Sequence, residues 1–224
     1  MVAAATYSSA LAEGLAEFYA TRARTLELIE GLTQAELDYT PAPNRWSIGE
    51  VLDHMLLGER LNREQIAKLI QLKREGRRPE LILTFSDLNI SVVGVPRFFL
   101  PLFEAPLTVI NMFVPDSLRN YLTRTRLIPF RNPDPATPKR GRSAAELRRD
   151  LRASLQETEG LFQNNPELDY DEMVVQHPLL GRYDVPGLLR FMSAHEERHQ
   201  SQITGIQSAQ GFTRPTRCCG ARYA

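Results

Sequence analysis

Apolar residues recur at helical spacing in four separate stretches of the chain. Leu11, Leu15, Phe18, Tyr19, Leu26 and Ile29 repeat at helical spacing, which predicts an amphipathic helix from about Ser8 to Leu32. A turn-rich run, Tyr39 to Arg45, follows with two prolines. Ser47 and Glu50 then form an S-x-x-E capping box, with Trp46 and Val51 placed as a hydrophobic staple across it. This second helix is expected to run to about Glu75, where Gly76 and Pro79 stop it. Ser143 and Glu146 open a third helix in the same way. Its inner face carries Leu147, Leu151, Leu155 and Leu161, and it ends near Asn165-Pro166. Asp184 with Pro186 in the first turn opens a fourth, with Gly211 as the expected residue after its end and Pro215 barring continuation.

Strand patterning is weak everywhere, and Met173 to Gln176 reads as no more than a short extended piece. The pattern therefore predicts an all-α protein: a four-helix bundle with one long, proline-rich connection between helices two and three. That connection, Gly76 to Arg142, spans about 65 residues where bundle loops usually take two to eight. It must be a crossover with short helices of its own, or a flap. The expected organisation is a single domain over residues 1–212 that includes this crossover, followed by a tail, 213–224.

Composition narrows the class. The 224 residues are 42% hydrophobic and 24% charged, ordinary for a globular chain with a buried core. With 27 basic and 27 acidic residues the net charge is zero, so the basic surplus of a nucleic-acid binder is missing. Prolines, Arg97 and Glu104 break the apolar region Leu81 to Leu122 into pieces too short for a membrane span. The first residues lack the basic and apolar regions of a signal peptide, so a cytoplasmic protein is expected. Cys218 and Cys219 are adjacent, which suits neither an ordinary disulfide nor a four-cysteine zinc site, and they read as part of a reduced tail.

The chemistry lies in the histidines. At about 100° per residue, Leu188, Phe191, Met192, His195, His199, Gln202 and Ile206 fall on one stripe of the fourth helix. Two imidazoles one turn apart on the packing face can converge on one metal ion. On the second helix Ser47, Glu50, Val51, His54, Leu61 and Gln65 share a stripe, so His54 points inward too. A lone inward histidine is usually a hydrogen-bonded core residue, but a buried i, i+4 pair needs compensation for its desolvation. The three together favour a metal site with an open position, the pattern of a catalytic centre.

His195-Glu-Glu-Arg-His199 also spells H-E-x-x-H, in which Glu196 would be the general base of a zinc protease. Residues 200–224 hold no His, Asp or Glu to serve as the downstream ligand, and Gln202 and Ile206 stand where the extended protease motif needs Gly and His. The bundle reading is therefore preferred to the protease one.

Trp46-Ser-Ile-Gly-Glu-Val-Leu-Asp-His54, His177-Pro-Leu-Leu-Gly181 and His195-Glu-Glu-Arg-His-Gln-Ser-Gln-Ile203 closely resemble the motifs of the DinB-like superfamily. The likeness covers residues 8–75 and 143–210. It implies an up-down-down-up four-helix bundle with a three-histidine metal centre and assigns ligand roles to His54, His195 and His199. Its members include metal-dependent hydrolases and S-transferases for low-molecular-weight thiols. The resemblance places His177 in a loop leading to the last helix, with a structural or mouth-lining role. Glu50, Glu196, Gln202 and His177 are candidates for the surroundings of the ion or the pocket, and no catalytic residue is assigned.

The function expected is a divalent-metal-dependent enzyme, with zinc or nickel as cofactor. It would hydrolyse, or transfer a thiol to, a small and partly apolar substrate. The competing readings are a non-catalytic bundle that sequesters metal or ligand, and a structural homodimer using the apolar crossover as its interface. Within that crossover Phe98, Phe99, Leu100, Leu102, Phe103, Ile110, Met112 and Phe113 must cover something, and a wall over the metal pocket is the first expectation.

Overall fold

The computed structural model describes residues 7–84, 137–177 and 181–212. The apolar segment around Phe98 to Phe113, Pro215 and the Cys218-Cys219 pair lie outside these residues.

Four long helices form where the periodicity predicts them. Helix α1 spans Ser9–Leu28, and the Ser8 hydroxyl accepts from the Leu11 amide at its start. A short helix, α2 (Gln34–Asp38), follows behind a Thr33/Glu36 capping box that the periodicity analysis passes over, because five residues carry no measurable period. Helix α3 covers Ile48–Arg74 and α4 covers Ala144–Gln163, each behind its expected serine–glutamate box. Helix α5 covers Val185–Gln207, with the Asp184 carboxylate accepting from the Gly187 amide at 2.6 Å. It ends at Ser208 rather than beside Gly211, which takes its positive φ of 94° in the turn that follows.

The helical class holds, with one addition. A three-stranded sheet, ordered β1-β2-β3, joins β1 (Glu80–Ile82), β2 (Val174–His177) and β3 (Gly181–Asp184). β1 runs parallel to β2, and β2 runs antiparallel to β3 with Val175 opposite Tyr183. The extended piece expected at 173–176 is thus the middle strand. Strands of three and four residues are too short to show alternation, and their pairing is long-range, so sequence pattern misses them.

The packed helix pairs are α1 with α5, α3 with α4, α3 with α5, and α1 with α4. At Gly14 the α1 backbone comes close to α5: a Cβ there would lie 3.2 Å from the Pro186 carbonyl oxygen and 3.3 Å from the Leu189 Cβ. The core is divided along the helix axes into two apolar clusters. One takes Leu11, Leu15 and Phe18 of α1, Ile66, Leu69 and Ile70 of α3, Phe162 of α4, Leu188, Leu189 and Met192 of α5, and the sheet residues Val175 and Tyr183. The other takes Ile29, Val51, Leu52 and Met55, Leu147 and Leu151, and Ile203 and Ile206. Between them every long helix buries polar side chains: Thr21, Arg22 and Thr25; Glu59; Ser154 and Thr158; Ser193, Glu196 and His199. The candidate site sits at this polar layer.

Candidate metal centre

His54 projects from α3, and His195 and His199 from α5. Each offers one ligand atom, and these atoms lie within 4.8 Å of one another. His54 and His199 are each 5% exposed, and His195 is half-buried. Ring centroids are 5.4 Å apart for His54 and His195, 4.9 Å for His54 and His199, and 4.5 Å for His195 and His199. Among the described residues this is the one group of three or more such side chains placed to hold an ion.

The details fit a metal. The Nε2 atoms of His195 and His199 are 3.2 Å apart. Two nitrogens each about 2.0–2.1 Å from one tetrahedral ion stand about 3.3 Å apart, so the pair already has the required bite. His199 Nδ1 lies 3.1 Å from the Gln202 side-chain oxygen. That oxygen can only accept, so Nδ1 carries the proton and the Nε2 lone pair faces the cluster. A metal-binding histidine is oriented by such a bond on its other nitrogen. Burial, together with the neighbouring His199 and His54 and the nearby Arg198, holds the His195 pKa well below the usual imidazole value. It is therefore neutral, as a ligand must be. Trp46 packs on His54 with centroids 5.0 Å apart, and Phe191 stacks on His195 at 6.2 Å. The capping-box serine thus sets the start of the helix and the tryptophan before it sets the wall beside His54.

The other candidate residues go elsewhere. Glu50 closes its capping box through the Ser47 amide and also receives Arg140 at 2.8 Å. Burial works against its charge, but the Ser47 bonds and Arg140 hold its carboxyl below the usual range. His177 lies in β2, outside the cluster, and burial pulls its pKa down to about 3. Glu196, a candidate for the surroundings of the ion or the pocket, is engaged with α1 instead. It is buried and turned toward α1, where Arg22 Nε and Nη2 each donate to it at 2.9 Å and the Thr25 hydroxyl donates at 2.5 Å. Arg22 also donates to Glu59 at 2.7 Å and to the Leu151 carbonyl at 2.6 Å, which joins all four long helices in one network. Burial opposes the Arg22 charge, but Glu196 and Glu59 more than offset it and keep the guanidinium ionised.

Sequence reasoning overlooks Arg22 and Glu59, although a signal exists. Arg22 continues the Leu11-Leu15-Phe18 spacing and Glu59 follows Val51-Leu52-Met55, so each places a charge on an inward stripe. Asp53 is also missed. It is buried, and accepts from the Lys139 amide and from Arg142, both at 2.7 Å. No helix among the described residues is long and apolar enough to cross a membrane.

Compared with known proteins, the chain finds no match among curated proteins and none among solved structures. The DinB superfamily model matches residues 17–203, a span that holds α3, α4, most of α1 and α5, and the three histidines. That match covers most of the chain and agrees with the mostly helical fold and the histidine cluster: the protein belongs to the DinB superfamily.

Proposed function

We propose that His54, His195 and His199 bind one divalent ion, zinc or nickel, and that the protein is a metal-dependent enzyme. Its reaction is hydrolysis or thiol transfer on a small, partly apolar molecule. The observation that carries this reading is the convergence of three ligand atoms within 4.8 Å, two of them at the bite of a single ion. Three protein ligands leave a coordination position open, which distinguishes catalytic from structural sites. When bound there, the ion supplies Lewis acidity and lowers the pKa of a water or thiol. The chain's own residues do the positioning. Gln202 holds the His199 ring, Trp46 walls His54, and the Arg22–Glu196 pair pins α5 on the buried flank beside the imidazoles. Glu196, fully engaged by Arg22 and Thr25, is a structural carboxylate rather than a general base.

The helices are read as an up-down-down-up bundle. In support, the first apolar cluster takes the N-terminal halves of α1 and α5 but the C-terminal halves of α3 and α4. Residues 1–212 are taken as one domain, with 76–142 as a crossover that walls the pocket and a homodimer contact as its second use. The partner is taken to be a small molecule in a cytoplasmic setting, and the neutral net charge supports the absence of a nucleic-acid partner.

Metal analysis tests the core of the proposal. His54→Ala, His195→Ala and His199→Ala should each abolish stoichiometric zinc or nickel binding, and His177→Ala should leave it intact. Full binding in any two of the first three variants refutes the assignment.

A further inference from the structure

A cavity of about 400 Å³ lies between the loop around Arg45 and the C-terminal half of α5. Its wall includes Arg45, Arg198, Trp46, Gln202, Pro41 and Ile206, and no Asp or Glu among the described residues. Two of these residues also touch the cluster: Trp46 packs on His54, and Gln202 accepts from His199 Nδ1. None of the three histidines is in the wall itself.

Three features define an occupant. No acid stands in the wall beside the Arg45 guanidinium, which calls for negative charge, and guanidinium forks match planar oxyanions. The Arg45 side chain has no hydrogen-bond or ion-pair partner among the described residues, so its charge is uncompensated there. The Gln202 amide NH₂ makes no hydrogen bond among the described residues while its oxygen is committed to His199, which leaves a donor pair for an acceptor ligand. The indole of Trp46 with Pro41 and Ile206 supplies an apolar wall that inorganic anions cannot use. We infer that this cavity binds a small organic carboxylate, with its oxyanion toward Arg45, Arg198 and Gln202 and its apolar body against Trp46. The site needs no metal, so it stands apart from the function proposed above.

Trp46 is the single tryptophan of the chain, so intrinsic fluorescence reports on this cavity directly. Purified protein, metal-loaded and chelator-stripped, is titrated with benzoate, with its neutral isostere benzamide, and with inorganic phosphate. Benzoate should give a saturable change in both metal states, and benzamide and phosphate should bind at least about tenfold more weakly, a difference of about 1.4 kcal/mol. Arg45→Ala/Arg198→Ala should weaken benzoate by about tenfold or more with helix content and metal stoichiometry preserved. Equal affinity for benzamide overturns the inference using the unaltered protein alone. So does phosphate binding as tight as benzoate, or unchanged benzoate affinity in the folded double variant. Loss of benzoate binding on chelation would place benzoate on the ion and also overturn it. Failure of the histidine variants to lose metal would leave this result untouched.

Discussion

At the scale of single residues, the H-E-x-x-H run divides its two kinds of side chain between two jobs. His195 and His199 meet His54 of α3, and Glu196, about 60° round the helix from His199, meets Arg22 instead. A buried guanidinium held by two carboxylates loses much of its compensation when one is removed, and breaking such a pair typically costs about 3–5 kcal/mol. Glu196→Gln is therefore expected to lower unfolding stability in urea by about 3 kcal/mol with zinc stoichiometry unchanged. Any measured activity should stay within about tenfold, since losing a general base costs about 10²–10⁴-fold. A loss beyond that range with metal still bound would restore Glu196 to the chemistry. The motif itself is legible in sequence. Which way the glutamate faces depends on Arg22, 174 residues away along the chain, and no local pattern encodes that distance.

Among the elements, α3 carries the heaviest load. Its N-terminal box sets where the helix begins, Trp46 ahead of the box covers His54, and Asp53 beside His54 fastens the returning chain. The Asp53 carboxylate takes the Lys139 amide and Arg142, Glu50 takes Arg140, and Arg142 also pairs with Asp150 of α4. These contacts tie residues 139–142 to the first turns of α3 and hand the chain directly to the Ser143 cap. Asp53→Ala removes the buried acceptor, leaving Arg142 only its Asp150 partner and the Lys139 amide unsatisfied, a loss of about 1–3 kcal/mol. Brief trypsin digestion should then cut at Lys139, Arg140 and Arg142 several-fold sooner than in the unaltered protein. Helix content by circular dichroism should be retained. Unchanged cleavage would show that the clamp does not hold this segment.

For the molecule as a whole, the polar layer between two apolar clusters links folding to pH. His195 and His177 both have pKa values pulled far below the ordinary imidazole value of about 6.5 by burial, His177 to about 3. Below pH 6.5 the unfolded chain takes up protons at these positions and the folded chain does not. Stability therefore rises with pH between about 3 and 6.5, falls on acidification through that window, and has no contribution from these groups above it. Each such proton is worth about 1.4 kcal/mol per pH unit within the window. Urea unfolding of chelator-treated protein at pH 5 and pH 7 should show the loss, and His177→Gln should flatten the slope by about one proton. An unchanged slope in that variant would mean that His177 is charged in the folded state.

The chain's own pattern was enough for the helical class, the starts of the long helices and the three inward histidines. These depend on short-range regularities: a period near 3.6, a serine three residues before a glutamate, an imidazole repeated after one turn. Tertiary structure decided the rest. The three-stranded sheet pairs Glu80 with Val174, and the Arg22 network draws on residues from all four long helices. The meeting of His54 with His195 and His199 required α3 and α5 to pack face to face. A cavity shared by the loop around Arg45 and the far half of α5 has no sequence signature at all. Local propensity acts over a few residues, whereas burial of charge and convergence of ligands depend on which distant stripes pack together. Only the folded chain brings those stripes into contact.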